Sequence, residues 1–199
     1  MVPAKEYLRK NIWDLMEIKG IAQSPCQGRI PDFHGSARAA ELLRNTLEWK
    51  DAETVFVSPD TALKMVRENA LSDKKLLIMA SPKLQNGYIL IEPDHTEGHE
   101  REAATIAGAF KYGSKVEIFP TIDMVVEGSV AVDVNGGRLG KGGGYGDVEI
   151  SYLQHTKVIN PETPIISIVH EIQVIEIVPM ESHDQKINMI VTPEMVLRI

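Results

Sequence analysis

Short β-branched and apolar runs, separated by stretches whose apolar residues recur with a helical period, confine this chain to a layered α/β architecture. The runs are Thr54–Val57, Leu76–Met79, Tyr88–Ile91, Val116–Phe119, Met124–Val126, Val130–Val132, Ile165–Val169 and Ile187–Val191. The first helix places Leu8, Ile12, Leu15 and Met16 on one stripe and stops near Gly20. Further helices are expected over Ser36–Trp49, through Leu63, Val66 and Leu71, over Glu100–Ala109 and from about Gly146 to Leu153. Gln85-Asn86-Gly87 is a turn that folds the next strand back antiparallel. Ile21 to Gly35, rich in Pro and Gly, is an irregular connection that only Ile30 and Phe33 can pin to a core. The expected fold is a single three-layer α/β domain over 1–199, with a central mostly parallel or mixed sheet and helices on both faces.

Composition removes several classes of function. A net charge of −7 repels a polyanion, so nucleic acid is an unfavoured partner. The single cysteine, Cys26, can form no internal disulfide and no thiolate-rich zinc site, and nothing around it lowers its pKa toward a nucleophile. The amino terminus is charged throughout, without a signal-peptide core, and no apolar run approaches the ~20 residues of a membrane span. A cytoplasmic protein that does not enter membranes is expected. Oligomeric state is not encoded in any visible pattern.

Seven of the 15 glycines fall between Gly136 and Gly146. Glycine lets backbone N–H groups converge on an anion, and Arg138 and Lys141 add positive charge ahead of a helix N-terminus. The run suits a phosphate cradle; a glycine-rich surface hairpin is the alternative. It lacks the Gly-Lys-Ser/Thr ending of a Walker loop and the preceding strand of a dinucleotide fingerprint.

The run Arg138-Leu-Gly-Lys-Gly-Gly-Gly-Tyr-Gly-Asp147 resembles the Arg-Leu-Gly-x-Gly-x-Gly-Tyr-Tyr-Asp signature of the 5-formyltetrahydrofolate cyclo-ligase family. Lys5-x-x-x-Arg9 and the stretch Glu171-Ile-Gln173, Val178-Pro179, His183-Asp184, Val191-Thr192 agree with the same family. Arg29-Ile-Pro-Asp-Phe33, Pro59-Asp-Thr61 and Gly144-Tyr-Gly-Asp-Val-Glu149 are similar to its methenyltetrahydrofolate synthetase domain-containing branch. The resemblance implies ATP-dependent closure of 5-formyltetrahydrofolate to the 5,10-methenyl form, with ATP and Mg²⁺ as cofactors and a folate as partner. It implies that Lys5, Arg9 and the stretch Arg138, Leu139, Gly140, Lys141, Gly142, Gly143, Gly144, Tyr145 and Gly146 hold the nucleotide. Arg138, Lys141 and Asp60 would act in catalysis, Asp60 standing nearest to a family glutamate that contacts folate. Asp147 and Asp184 would hold Mg²⁺.

The residues themselves admit other roles. Lys5 and Arg9 suit a solvated basic face, Asp147 suits a helix cap and Asp184 a turn. Gly146 and Val148 depart from the family pattern, which leaves a nucleotide-binding or regulatory module without cyclisation as the alternative function. His95-x-x-x-His99 has the spacing of a helical metal pair, but Gly98 breaks the helix and a solvated loop is expected. His170 sits in an apolar pattern and is expected to be buried and hydrogen-bonded.

Overall fold

A computed structural model describes residues 4–199. The helices are α1 (Ala4–Ile18), α2 (Ser36–Arg44), α3 (Leu47–Asp51), α4 (Lys64–Ser72), α5 (Glu100–Ala103), α6 (Ile106–Tyr112) and α7 (Tyr145–His155). The strands are β1 (Thr54–Val57), β2 (Leu76–Ala80), β3 (Tyr88–Ile91), β4 (Ser114–Lys115), β5 (Met124–Glu127), β6 (Ala131–Asp133), β7 (Arg138–Leu139), β8 (Ile165–Ile168), β9 (Val174–Ile175), β10 (Met189–Val191) and β11 (Val196–Arg198). The main sheet runs β11-β10-β8-β5-β1-β2-β3-β4. Its centre is parallel, with antiparallel pairs at β2–β3, β3–β4 and β10–β11. A smaller sheet, β7-β6-β9, stands beside it.

The period of two in the central strands sorts their side chains into two cores. Val55, Val57, Leu77, Met79, Met124 and Val126 face a core shared with α1, α2 and α4, through residues such as Met16, Leu43 and Val66. Phe56, Ile78 and Val125 point the other way, onto Ile150 and Leu153 of α7. Helices on both faces follow from strands apolar on both faces, as the sequence predicts. β1 continues through α4 to β2 on one side, whereas β5 leads through α7 to β8 on the other. The chain therefore reverses its winding between β1 and β5, and a crevice opens beyond the carboxyl ends of those two strands.

Two expected helices are each broken by a threonine. Thr46 accepts from the Trp49 N–H and starts α3, so the helix expected over Ser36–Trp49 ends at Arg44 and leaves Leu47 exposed. Thr105 accepts from the Gly108 N–H in the same way and splits Glu100–Ala109 into α5 and α6. The strand expected at Val116–Phe119 is instead the two-residue β4, because beyond the Val116 amide, which bonds to the Tyr88 carbonyl, the edge finds no further partner before Pro120. Ile30 and Phe33 do pin the irregular connection. His170 is hydrogen-bonded through Nδ1 to the Ile172 amide, but it is half-buried and caps a 3₁₀ turn.

Arg67 on α4 is buried and donates to the carbonyls of Ser58, Asp60 and Ala104. Burial pulls its pKa down to about 10, so it stays charged at neutral pH. It fixes the loop after β1 that carries Asp60. Arg67→Met strips those carbonyls of their donor and should lower the unfolding free energy by on the order of 3 kcal/mol in urea denaturation.

Candidate functional site

The crevice beyond β1 and β5 is a cavity of about 390 Å³. Asp60 enters it from the loop after β1, Glu127 from the end of β5, and the glycine loop before α7 closes its far wall. Gly128 permits the approach of Asp60, since a Cβ there would lie 2.5 Å from Asp60 Oδ2 and 2.8 Å from Ile30. Gln173, from the Glu171-Ile-Gln173 block, is buried and donates to the carbonyls of Ser129 and Val130, so it braces the backbone behind Glu127.

The glycine cluster divides into two parts. Its first part is the turn of the β6–β7 hairpin, where buried Asp133 accepts from the amides of Asn135, Gly137 and Val178. Its second part is the cavity wall, in which Gly142 (φ +108°) and Gly144 (φ +70°) take the left-handed conformation that bends the backbone into α7. Leu139 points its side chain into the core and can offer the site only backbone. Tyr145 is on the cavity side, packed against Gly143.

Arg9 of α1 donates from Nε to the Gly140 carbonyl at 2.8 Å and lies against Gly142, so the first helix does close on the glycine loop. Lys5, one turn earlier, instead pairs with Asp184 and, at 3.1 Å, with Glu181. These acidic partners raise the Lys5 pKa against the effect of its desolvation, and Lys5 in turn holds the Asp184 carboxyl below its usual range, against the opposing pull of burial. Lys141 reaches across the cavity to Asp60 at 3.2 Å, and Asp60 also accepts from Ser58 at 3.0 Å. Lys5 and Arg9 thus have defined acidic and carbonyl partners rather than a solvated face.

Arg138 is turned inward, only 4% exposed, with Nη2 on Asp147 at 2.8 Å. Asp147 spends its other contact on the Gln185 amide, and the residue at the N-cap of α7 is Gly144, so Asp147 does not cap that helix. A Cβ at position 146 would come within 3.0 Å of both Arg138 Nη atoms. Gly146 therefore leaves room for the guanidinium beneath α7, where a second tyrosine would press on it. Asp184 groups with Glu181 and His183, whose ligand atoms all lie within 4.8 Å, and Asp147 does not join that group. His95 and His99 join no such group among the described residues, and His99 stacks on Tyr112. Cys26 is buried, and burial pushes its thiol up to about 11, far from nucleophilic.

Two acidic residues given no site role from the sequence, Glu127 and the Glu149 that ends the Gly144–Glu149 motif, form the cavity floor. Glu127 and Glu149 are 2% and 4% exposed and lie within hydrogen-bonding reach of one another. Burial raises both carboxyls; Glu149 and Asp60 push Glu127 further, well above the usual range, whereas Glu149 rises to about 7 against the opposing effect of its hydrogen bond with Glu127. Signals for both were present. Glu127 is the acidic end of an otherwise apolar strand, and Glu149 sits four residues before buried Leu153, on the same inward side of α7.

A carboxyl whose pKa is raised in the folded state takes up protons on folding. Stability from this pair is therefore present below the unfolded value of 4.5 and is lost as pH rises toward 7. The urea midpoint of the wild type should fall from roughly pH 5 to pH 8, and Glu149→Gln should flatten that fall. Parallel profiles for the two proteins would show that Glu149 ionises alike in both states.

The profile of the 5-formyltetrahydrofolate cyclo-ligase family matches residues 1–193. The chain is 36% identical over 203 aligned positions to a methenyltetrahydrofolate synthase domain-containing protein of Bos taurus, covering 98% of this chain and 53% of that one. The Mus musculus protein of the same name is also 36% identical, with 98% and 55% covered. The chain thus spans about half the length of the curated relatives it matches. Among solved structures, the Aquifex aeolicus 5,10-methenyltetrahydrofolate synthetase has a TM-score of 0.61 at 23% identity, over 98% of this chain and 92% of that one. A 5,10-methenyltetrahydrofolate synthetase from Mycoplasma pneumoniae has a TM-score of 0.59 at 16% identity, over 96% and 99%. These two likenesses establish the fold. No helix among the described residues is long and apolar enough to cross a membrane.

Proposed function

The chain belongs to the 5-formyltetrahydrofolate cyclo-ligase family, and from that premise we propose that it closes 5-formyltetrahydrofolate to 5,10-methenyltetrahydrofolate, consuming ATP with Mg²⁺ and releasing ADP and phosphate. The observation that carries this reading is the docking of Arg9 on the glycine loop, whose Lys141 reaches across the cavity to Asp60 on the opposite wall. An open glycine backbone with two cations beside it fits a polyphosphate.

Bound ATP would supply the phosphoryl group that turns the formyl oxygen into a leaving group, so that N10 can close the ring. The chain's own work is then positioning and charge neutralisation. Lys141, with a side chain 43% exposed, is free to leave Asp60 for a phosphate oxygen. Arg9 is already held in place by the Gly140 carbonyl and by Glu6 at 3.2 Å, so it would exchange Glu6 for a phosphate oxygen with little further ordering. Arg138, enclosed and balanced by Asp147, supports the loop from behind. Asp184 and Glu181 offer the oxygen ligands a hard cation prefers, and Lys5 would exchange them for phosphate. Asp147 stays the partner of Arg138.

Purified protein with ATP, Mg²⁺ and 5-formyltetrahydrofolate should develop the methenyl chromophore. ATP binding without product would favour the non-catalytic nucleotide-binding module, a reading that the replacement of the family tyrosine by Gly146 also supports. Arg9→Ala and Lys141→Ala should each weaken ATP binding in calorimetry by about 1–3 kcal/mol. Wild-type affinity in both variants would remove the nucleotide from this loop.

A further inference from the structure

Neither the glycine loop nor its cations account for the two carboxyls on the floor of the cavity. Glu127 and Glu149 both line it and lie within hydrogen-bonding reach of one another. They come from different elements, β5 and α7, so the fold itself makes the contact. No N–H or hydroxyl among the described residues reaches Glu127 Oε1, and the guanidinium of Arg138 is bound to Asp147. Two enclosed carboxyls in contact, without donors to steady two negative charges, keep one proton between them. Glu127 is held further above the carboxylate range than Glu149, so the proton resides on Glu127 and points at an ionised Glu149. The floor thus offers an acid and a base side by side.

Ring closure needs both. As N10 attacks the phosphorylated formyl carbon, the N10–C bond forms and N10 carries a positive charge until its proton leaves. The C–O bond then breaks, and phosphate departs with that electron pair as a trianion unless its bridging oxygen gains a proton. Other charged groups lining the cavity are ill suited to this exchange. Arg29, Lys83 and Lys141 are cations, while Asp60 and Asp147 are held by Lys141 and Arg138. We propose that the Glu127–Glu149 pair is the proton relay of ring closure, Glu149 taking the proton from N10 while Glu127 gives its own to the departing phosphate oxygen. The pair ends with one proton, as it began, and that proton returns from Glu149 to Glu127 across their contact. No net charge is added to the enclosed floor, where an extra charge would be costly. This role rests on the cyclo-ligase reading; Glu127 itself lies outside every motif that carries the family resemblance.

The test compares ADP released with methenyl product formed by the full chain, supplied with ATP, Mg²⁺ and 5-formyltetrahydrofolate. The wild type should release the two in equal amounts. Glu127→Gln and Glu149→Gln keep the volume but cannot exchange a proton. Each should lower kcat for product by about 100- to 1000-fold. Each should also release ADP in excess of product, because an activated formyl group that fails to close is returned by water to 5-formyltetrahydrofolate and phosphate. ATP affinity within about twofold of wild type in calorimetry, with an unchanged circular dichroism spectrum, would show the cavity intact. Wild-type kcat and equal ADP and product in both variants would overturn the relay and keep the enzyme. A fall in kcat that leaves ADP and product equal, or that follows a loss of ATP affinity, would overturn the relay in favour of a structural pair. ATP binding by the wild type without any product would overturn the cyclo-ligase reading and the relay together.

Discussion

Arg138 begins a two-residue hairpin strand with its guanidinium out of water, and a charge in that position has to be matched by the fold around it. The match comes from Asp147 in the first turn of α7, which ties the hairpin of the small sheet to the helix that covers the main sheet. Glu127 and Glu149 lie in the same enclosure, one at the end of β5 and the other on α7. Three elements, β5, β7 and α7, thus meet at one buried electrostatic cluster. The glycine loop is suspended between two of them, Arg138 at its start and Asp147 at its end, so its shape follows from the cluster rather than from its own flexible sequence.

The two winding directions of the main sheet explain why a cavity exists there at all. Because β1 and β5 send the chain away on opposite sides, the loops after them part, and neither covers the sheet edge between them. Arg67 holds one parted loop through the carbonyls of Ser58 and Asp60, and Gln173 holds the other through Ser129 and Val130. Both braces are buried polar side chains bonded to backbone. The acidic residues at the mouth are thereby fixed before any ligand arrives, which reduces the ordering cost of binding.

Cations and carboxylates in the site are already paired with each other: Lys5 with Asp184, Lys141 with Asp60, Arg138 with Asp147. The first two pairs are partly exposed and can exchange partners when a phosphate arrives, whereas the third is enclosed and serves the framework. This division separates residues able to touch a nucleotide from one that shapes the loop, although all carry the same type of charge pattern in the sequence.

Much of this was legible in the chain itself. The alternation of strand and helix periods set the layered α/β class, and the glycine cluster with Arg9, Lys141 and Asp60 marked one end of the sheet, because backbone preferences and side-chain period are local properties. The threonine breaks at Thr46 and Thr105 were also local, yet they were masked by apolar residues that kept the helical period across them. What the sequence could not decide was which charges would share an enclosure. Glu127 and Glu149 are 22 positions apart and become neighbours only because β5 and α7 pack around Arg138. Asp147 and Asp184, expected together at one metal, are held apart by different partners, Asp147 by enclosed Arg138 and Asp184 by Lys5 beside Glu181 and His183, since burial makes the nearest opposite charge decisive and that neighbour is chosen by the tertiary fold.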